Sequence, residues 1–308
     1  QFSTLRKFDA RRTEKRSSCA LFCSVLKTKK HAFMTDGGGN VSFGALRVQA
    51  RNTLAFFLEK IHGKKALVLD PRLTGLLSRL AEKSFLQDRG VEVTYTLTSD
   101  SLATDLSRIV YLLRPRPALV HTVAKHIRAH LALRQIKEYH ICFLPRRTIL
   151  CEKALEEEEI SGNVIISELP LDLFPLDDDV LTMELENSFR ELFLFHDHSC
   201  VWYIAKGIRR LQSLYGPIPR IKAKGMWSKV VCDLLLRMRE EEDSGAMAGG
   251  NGVEGNGVVV SKVDQVVLID RDVDLVTPLL TQQTYEGLID ELFGIVNGAV
   301  EVDADLAG

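Results

Sequence analysis

Ala66-Leu67-Val68-Leu69, closed by Asp70-Pro71, is the stretch whose reading decides the fold. Four apolar residues in a row, without polar alternation, suit a strand buried on both faces, as strands of a parallel sheet are. Upstream, Leu46, Ala50, Leu54, Phe57, Leu58 and Ile61 recur at helical spacing. They predict an amphipathic helix that stops at Gly63. Downstream, 73–86 reads as a helix and 91–97 alternates as a strand. Residues 108–113 form a second buried strand, closed by Arg114-Pro115-Arg116-Pro117. A helix through His126 and a strand over 140–144, closed by Pro145, complete the run.

Strands alternating with helices of this length imply βαβ units and parallel sheets covered on both faces. At 308 residues the chain exceeds one ordinary core, so two such three-layer α/β units are expected. The first is placed over 41–137 and the second over 138–278. In the second, helices are expected over 149–159, 199–215 and 226–242, with strands over 164–169 and 263–270. The acids Glu156 to Glu159 read as a solvated helix end. Ser244 to Gly257, rich in glycine, cannot pack a core and reads as a flexible loop within 243–261.

Composition narrows the class. A hydrophobic content of 45% and a charged content of 26% belong to a globular protein. Apolar runs such as 109–113 and 200–205 fall far short of the roughly 20 residues a membrane helix needs. Charge is uneven: the first 33 residues hold nine Lys/Arg against Asp9 and Glu14, although the whole chain is only −1. Met34 opens Met34-Thr35-Asp36-Gly37-Gly38-Gly39, so 1–33 is expected to be upstream sequence, and 1–40 a disordered or non-native extension. The six cysteines are scattered, which suits reduced thiols better than a disulfide framework. Cys19 and Cys23 have no second Cys or His pair at zinc-finger distance, so no metal site is expected there.

The turns after strands are where nucleotide sites form, and here they lack the required residues. Asp70-Pro71-Arg72-Leu73-Thr74-Gly75 contains no GxGxxG, and Lys224-Gly225 lacks the rest of a P-loop. His196-Asp197-His198-Ser199-Cys200 could serve a metal or a nucleophile, but no third ligand is predictable, and it reads as a polar loop before a helix. Asp270, Asp272 and Asp274 end a strand around Arg271. Acids so placed can hold Mg²⁺ for phosphoryl transfer, which makes a metal-dependent phosphotransferase or hydrolase the strongest enzyme hypothesis. In the structural alternative Asp270 and Asp274 cap turns and pair with Arg271. Both readings stay open on spacing alone.

At this segment a resemblance appears. Leu268-Ile269-Asp270-Arg271-Asp272-Val273-Asp274-Leu275-Val276-Thr277-Pro278, followed by Thr284-Tyr285-Glu286-Gly287-Leu288-Ile289-Asp290-Glu291, resembles a signature of the SM (Sec/Munc-type) family of syntaxin-binding regulators, in its vacuolar branch. Gly63-Lys64-Lys65-Ala66-Leu67-Val68-Leu69-Asp70, Phe143-Leu144-Pro145-Arg146-Arg147 and Leu214-Tyr215-Gly216-Pro217-Ile218-Pro219 agree, in family order. The resemblance implies a second domain interrupted by a mostly helical third, which would just begin over 279–308. Asp270, Arg271, Asp274, Thr277, Pro278, Tyr285, Glu286 and Gly287 would then be a structural motif at the junction, not a metal or catalytic site.

The same resemblance implies the activity. The family binds syntaxin-type SNAREs and promotes their assembly, with tethering-complex subunits (HOPS and CORVET) as further partners. It implies a cytoplasmic protein, peripheral on late endosome and vacuole or lysosome membranes, with no cofactor and no nucleic acid. The family grips syntaxin near the loop after its first strand, which matches Asp70, Pro71, Arg72, Leu73 and Thr74. Exocytic members carry a basic residue where this sequence has Gly75-Leu76, and Arg72 is the candidate replacement.

Overall fold

Strand β1 (Lys65–Leu69) is buried at all five positions, and its side chains divide between two separate cores. Leu67 and Leu69 face one, and Ala66 and Val68 the other, because successive strand residues point to opposite faces. The computed structural model describes residues 42–185, 187–248, 261–296 and 300. The expectations for 1–40, for Cys19 and Cys23, and for most of the glycine-rich loop lie outside the described residues.

Around β1 the first unit assembles in the order α1 (Gly44–Lys60), β1, α2 (Pro71–Leu80), α3 (Lys83–Gln87), β2 (Val91–Thr96), β3 (Arg108–Leu113), α4 (Pro117–Ala132), β4 (Glu138–Phe143), α5 (Ile149–Glu157) and β5 (Val164–Glu168). The short strand β6 (Phe174–Pro175) follows. The sheet runs β2-β1-β3-β4-β5, and every ladder in it is parallel. Leu54, Leu73, Leu77 and Phe85 of α1 to α3 pack on one face, beside Val110 and Leu112 of β3. Val120, Val123 and Ile127 of α4, with Cys151 and Leu155 of α5, cover the other, beside Ile109 and Tyr111. This is the expected three-layer arrangement, and each fully buried aliphatic side chain contributes about 1.5–3 kcal/mol to it.

Three expectations need correction. The boundary expected between 137 and 138 falls inside the sheet, because β4 pairs with β3 from Arg108↔Glu138 to Leu113↔Phe143 and β5 pairs with β4. The first compact unit therefore takes in all of Phe43–Asp178, and Gln282 and the described residues after it group with it. A buried strand reads the same from either side of a boundary, so apolar content alone did not reveal which sheet β4 joins. The single helix expected over 73–86 is broken at Ala81, whose backbone is extended, and Phe85 reaches the same core from the separate α3. The expected loop at 243–261 begins later, since helix α8 continues to Ala248.

The second unit, over Asp179–Thr281, contains β7 (Leu181–Thr182), α6 (Ser188–Leu194), α7 (Ser199–Tyr215), β8 (Arg220–Lys224), α8 (Met226–Ala248) and β9 (Gln265–Ile269). Strands β8 and β9 pair in parallel, in register from Arg220↔Gln265 to Lys224↔Ile269. Val266 and Leu268 of β9 are buried, while Val267 and Ile269 on the opposite face are not. After Thr281 comes α9 (Tyr285–Leu292), which buries none of its side chains.

Lys65 shows how the ends of these elements are satisfied. Its side chain is buried, and its Nζ donates to Leu58 O in the last turn of α1 (2.9 Å) and to Arg89 O (2.6 Å). A helix end leaves such carbonyls without intrahelical partners. The central strands set the stability of the unit: Leu112→Ala should cost about 2–5 kcal/mol, read as a lowered urea midpoint with unchanged slope.

Candidate functional site

The order β2-β1-β3 reverses direction between β1 and β3, and in open parallel sheets the crevice beyond such a reversal is where ligands bind. In this protein an ion pair stands there. Asp70, 1% exposed, receives Arg114 Nε on Oδ2 (2.6 Å) and Arg114 Nη2 on Oδ1 (3.1 Å). Oδ1 also accepts the Arg72 N–H (3.1 Å), so the same carboxylate caps α2, with Pro71 in the first turn. A bidentate guanidinium and a helix N-terminus together neutralise a carboxylate that could not otherwise stay buried. The site that a phosphate or nucleotide would use is thus filled by the protein's own charges.

This geometry revises the expected binding surface. Asp70 and Leu73 are buried, Asp70 in the ion pair and Leu73 in the core against α1 and β1, so neither presents its side chain outward. Pro71 and Arg72 are exposed and Thr74 partly so, leaving these three on the surface at the start of α2. Sequence reasoning quoted Arg114 only as part of a strand-closing turn and missed its pairing. The available signal was an arginine directly after the second buried strand, one strand away from an aspartate directly after the first.

Asp270 repeats the arrangement in the second unit. It ends β9, is 3% exposed, and accepts the Trp227 N–H on Oδ2 (2.7 Å) and the Ser228 N–H on Oδ1 (2.7 Å). The Ser228 hydroxyl donates to the same Oδ1. Asp270 therefore caps α8, the helix that follows the neighbouring strand β8. Gly225, at φ 112°, makes room: a Cβ there would lie 2.2 Å from Asp270 Oδ2. Only glycine adopts that φ without strain and leaves that space.

The other two acids turn elsewhere. Asp274 Oδ1 accepts the Val276 (3.1 Å) and Thr277 (3.0 Å) N–H groups, and the Thr277 hydroxyl donates to Oδ2. The hydroxyl and amide of Thr277 hold the Asp274 carboxyl below its ordinary range. Arg271 reaches the Asp274 carbonyl oxygen (3.0 Å) and not its carboxylate, and Asp272 lies exposed between them. The structural alternative is the one the geometry favours, with its pairing corrected: Asp270 caps α8 and not a local turn. Pro278 lies in the short helical turn Thr277–Leu279. At α9, Gly287 N–H donates to the Thr284 hydroxyl (3.1 Å), and Tyr285 and Glu286 are exposed.

His196 to Cys200 is a helix entry. Asp197 Oδ1 accepts the Ser199 N–H (2.9 Å), and the His198 ring sits 4.6 Å from that of Trp227. Burial pushes the Cys200 thiol up to about 12, which leaves almost no thiolate at neutral pH. Among the described residues, no three His, Cys, Asp or Glu side chains are grouped to hold a metal ion.

Comparison with known proteins follows the same lines. Residues 65–305 match the Sec1 family. The vacuolar protein-sorting-associated protein 33 homolog of Arabidopsis thaliana is 39% identical over 264 residues, 86% of this chain and 43% of the relative. Vacuolar protein sorting-associated protein 33A of Rattus norvegicus is also 39% identical, over 266 residues. The chain spans less than half the length of these curated relatives. Among solved structures, the SM protein Vps45 superposes with a TM-score of 0.51 at 19% identity, over 88% of this chain and 51% of that one. Vps45 in complex with the Qa SNARE Tlg2 gives 0.53 at 19% identity, over 85% and 46%. These likenesses establish the fold.

The two buried aspartates should differ in what their loss costs. Asp70→Ala removes the carboxylate of a buried ion pair and should cost about 3–5 kcal/mol in chemical denaturation. Asp270→Ala removes a helix cap without leaving a charge behind and should cost about 0.5–2 kcal/mol.

Proposed function

This chain belongs to the Sec1 family, and on that premise we propose that it is a SNARE-binding regulator of vesicle tethering and membrane fusion. Its place is endosome-to-vacuole or endosome-to-lysosome transport, as a subunit of the HOPS and CORVET tethering complexes. The observation that carries this reading is the 39% identity, across most of the chain, to vacuolar protein sorting 33 relatives from a plant and a mammal. Relatives in fold support the partner class: one is solved with the Qa SNARE Tlg2, one with syntaxin 1 and one with an N-terminal peptide of Sed5p.

The mechanism is templating. Free SNARE helices lose conformational freedom when they assemble, and a rigid surface that holds them in register removes part of that cost beforehand. Pro71, Arg72 and Thr74 supply such a surface at the start of α2, anchored from below by the Asp70–Arg114 pair and by Leu73 in the core. No helix among the described residues is long and apolar enough to cross a membrane, and membrane association runs through the SNAREs and tethering subunits. The protein works by binding, not by catalysis. The carboxylate oxygens of Asp270 are committed to Trp227 and Ser228, which argues against a phosphotransferase built on Asp270, Asp272 and Asp274.

Pull-down of the purified chain with cytosolic domains of a panel of syntaxin-type SNAREs should give selective, saturable binding. Arg72→Ala should weaken it by about tenfold, the range of a peripheral charged contact. Equal binding by parent and variant would remove Arg72 from the interface. Loss of selectivity across the panel, for this chain and for a protein of the relatives' full length alike, would overturn the reading. Calorimetric titration with Mg²⁺ should give no saturable heat, whereas an isotherm abolished by Asp272→Asn would establish the metal-dependent alternative.

A further inference from the structure

The connection from β2 to β3 passes over β1, a crossover that parallel sheets ordinarily make with a helix. Here residues 97–107 form no helix or strand. Irregular backbone lying on a sheet must satisfy its carbonyls somewhere, and this segment does so through side chains. His126 Nε2 bonds Thr98 O (2.9 Å), and His130 Nε2 bonds Leu102 O (2.6 Å). Lys137 Nζ donates to Thr104 O, and Tyr95 OH lies 3.5 Å from Ala103 O. His126 and His130 are one turn apart on α4 and both are buried. Leu97, Leu102 and Leu106 add apolar contact with the core beneath.

We infer that residues 97–107 are an acid-released strap, fastened to α4 by His126 and His130 and let go when the His126 imidazole takes up a proton. With Nε2 donating to a carbonyl, the neutral ring keeps Nδ1 as an acceptor. Nδ1 of His130 takes the hydroxyl of Tyr139 on β4 (3.1 Å), whose ring stacks on the imidazole at 6.0 Å. Nδ1 of His126 is buried without a partner, and Tyr111 of β3, its ring 6.2 Å away, likewise leaves its hydroxyl unbonded. A proton added to His126 Nδ1 would place an unsatisfied N–H and a charge in an apolar site.

The charged groups around the clasp confirm the direction. Burial depresses the His126 pKa below its ordinary value, and His130 adds to this. The carbonyl of Thr98, Asp100 on the strap and its backbone oppose the shift without reversing it. Lys137 is lowered by burial against the pull of Asp105. Because the fastened His126 binds its proton less readily than the released one, the closed state loses stability as pH falls through the ordinary histidine range near 6.5. That loss levels off once pH is below the fastened value. The strap thus weakens in mild acid, while β3 beneath it, buried through Ile109, Val110, Leu112 and Leu113, holds.

Hydrogen exchange of the whole chain at pH 7.5 and 5.5, corrected for intrinsic rates, tests this. Peptides within 97–107 should lose protection by up to about tenfold, the most one histidine can give a pH unit below its ordinary value near 6.5. Those from β3 should stay as they were. His126→Gln/His130→Gln keeps an amide donor for each carbonyl but cannot titrate, and it should flatten the strap's response while leaving it closed at pH 7.5. A uniform loss across all peptides, or an unchanged response in the double variant, overturns the inference. If that variant does not fold, carbon-13 titration of the parent's imidazoles decides: protonation of His126 should coincide with strap opening, and protonation with the strap still protected overturns it.

Discussion

Arg114 reaches across from the end of β3 to hold both oxygens of Asp70 at the end of β1, and much of the first unit is arranged about that contact. A parallel sheet covered on both faces brings all its strand-to-helix turns to one edge, so polar groups gather there. The centre of that edge, between β1 and β3, is the place where other proteins of similar topology put a ligand. Here the chain closes it with a salt bridge and uses the same carboxylate to start α2. The outer turn of α2, which we propose as the partner surface, is then held in place by a carboxylate buried beneath it.

Asp270 carries out the equivalent task in the second unit with amides and a hydroxyl in place of a guanidinium. Both aspartates follow an apolar strand directly, and both are buried because helix N-termini lie against them. The difference is which helix is capped: Asp70 caps the one that follows it, while Asp270 caps the one that follows the adjacent strand β8. The second arrangement ties β9 to the β8–α8 turn across the 249–260 interval of sequence and keeps the two strands in register at their ends. Family membership over residues 65–305 spans both junctions.

The crossover over 97–107 belongs to the same account. Where α1 to α5 satisfy their own backbone, this segment borrows donors from α4 and from the residue before β4. Its stability, on the inference above, therefore depends on the protonation of His126, which no helical crossover would require. Three leucines keep it on the core, and two histidines decide how firmly.

Strand and helix identity could be read from the sequence for most of the first unit, because local periodicity reports which residues are buried. The unbroken apolar run of β1 and the helical spacing in α1 each reflect a nearby constraint, whereas the alternation in β2 does not track burial, since Val93 is exposed at the sheet edge. Sheet membership could not be read, since β4 has the same apolar signature whether it opens a second sheet or extends the first, and only pairing with β3 distinguishes the two. At the sites, the sequence supplied the aspartates and their position after strands, and the resemblance supplied their structural role. Their partners are 42 to 44 residues away, at Arg114 and Ser228. A hydrogen bond between residues that far apart leaves no periodic trace, so the capping of α8 by Asp270 and the burial of Asp70 in an ion pair with Arg114 were decided by tertiary structure alone.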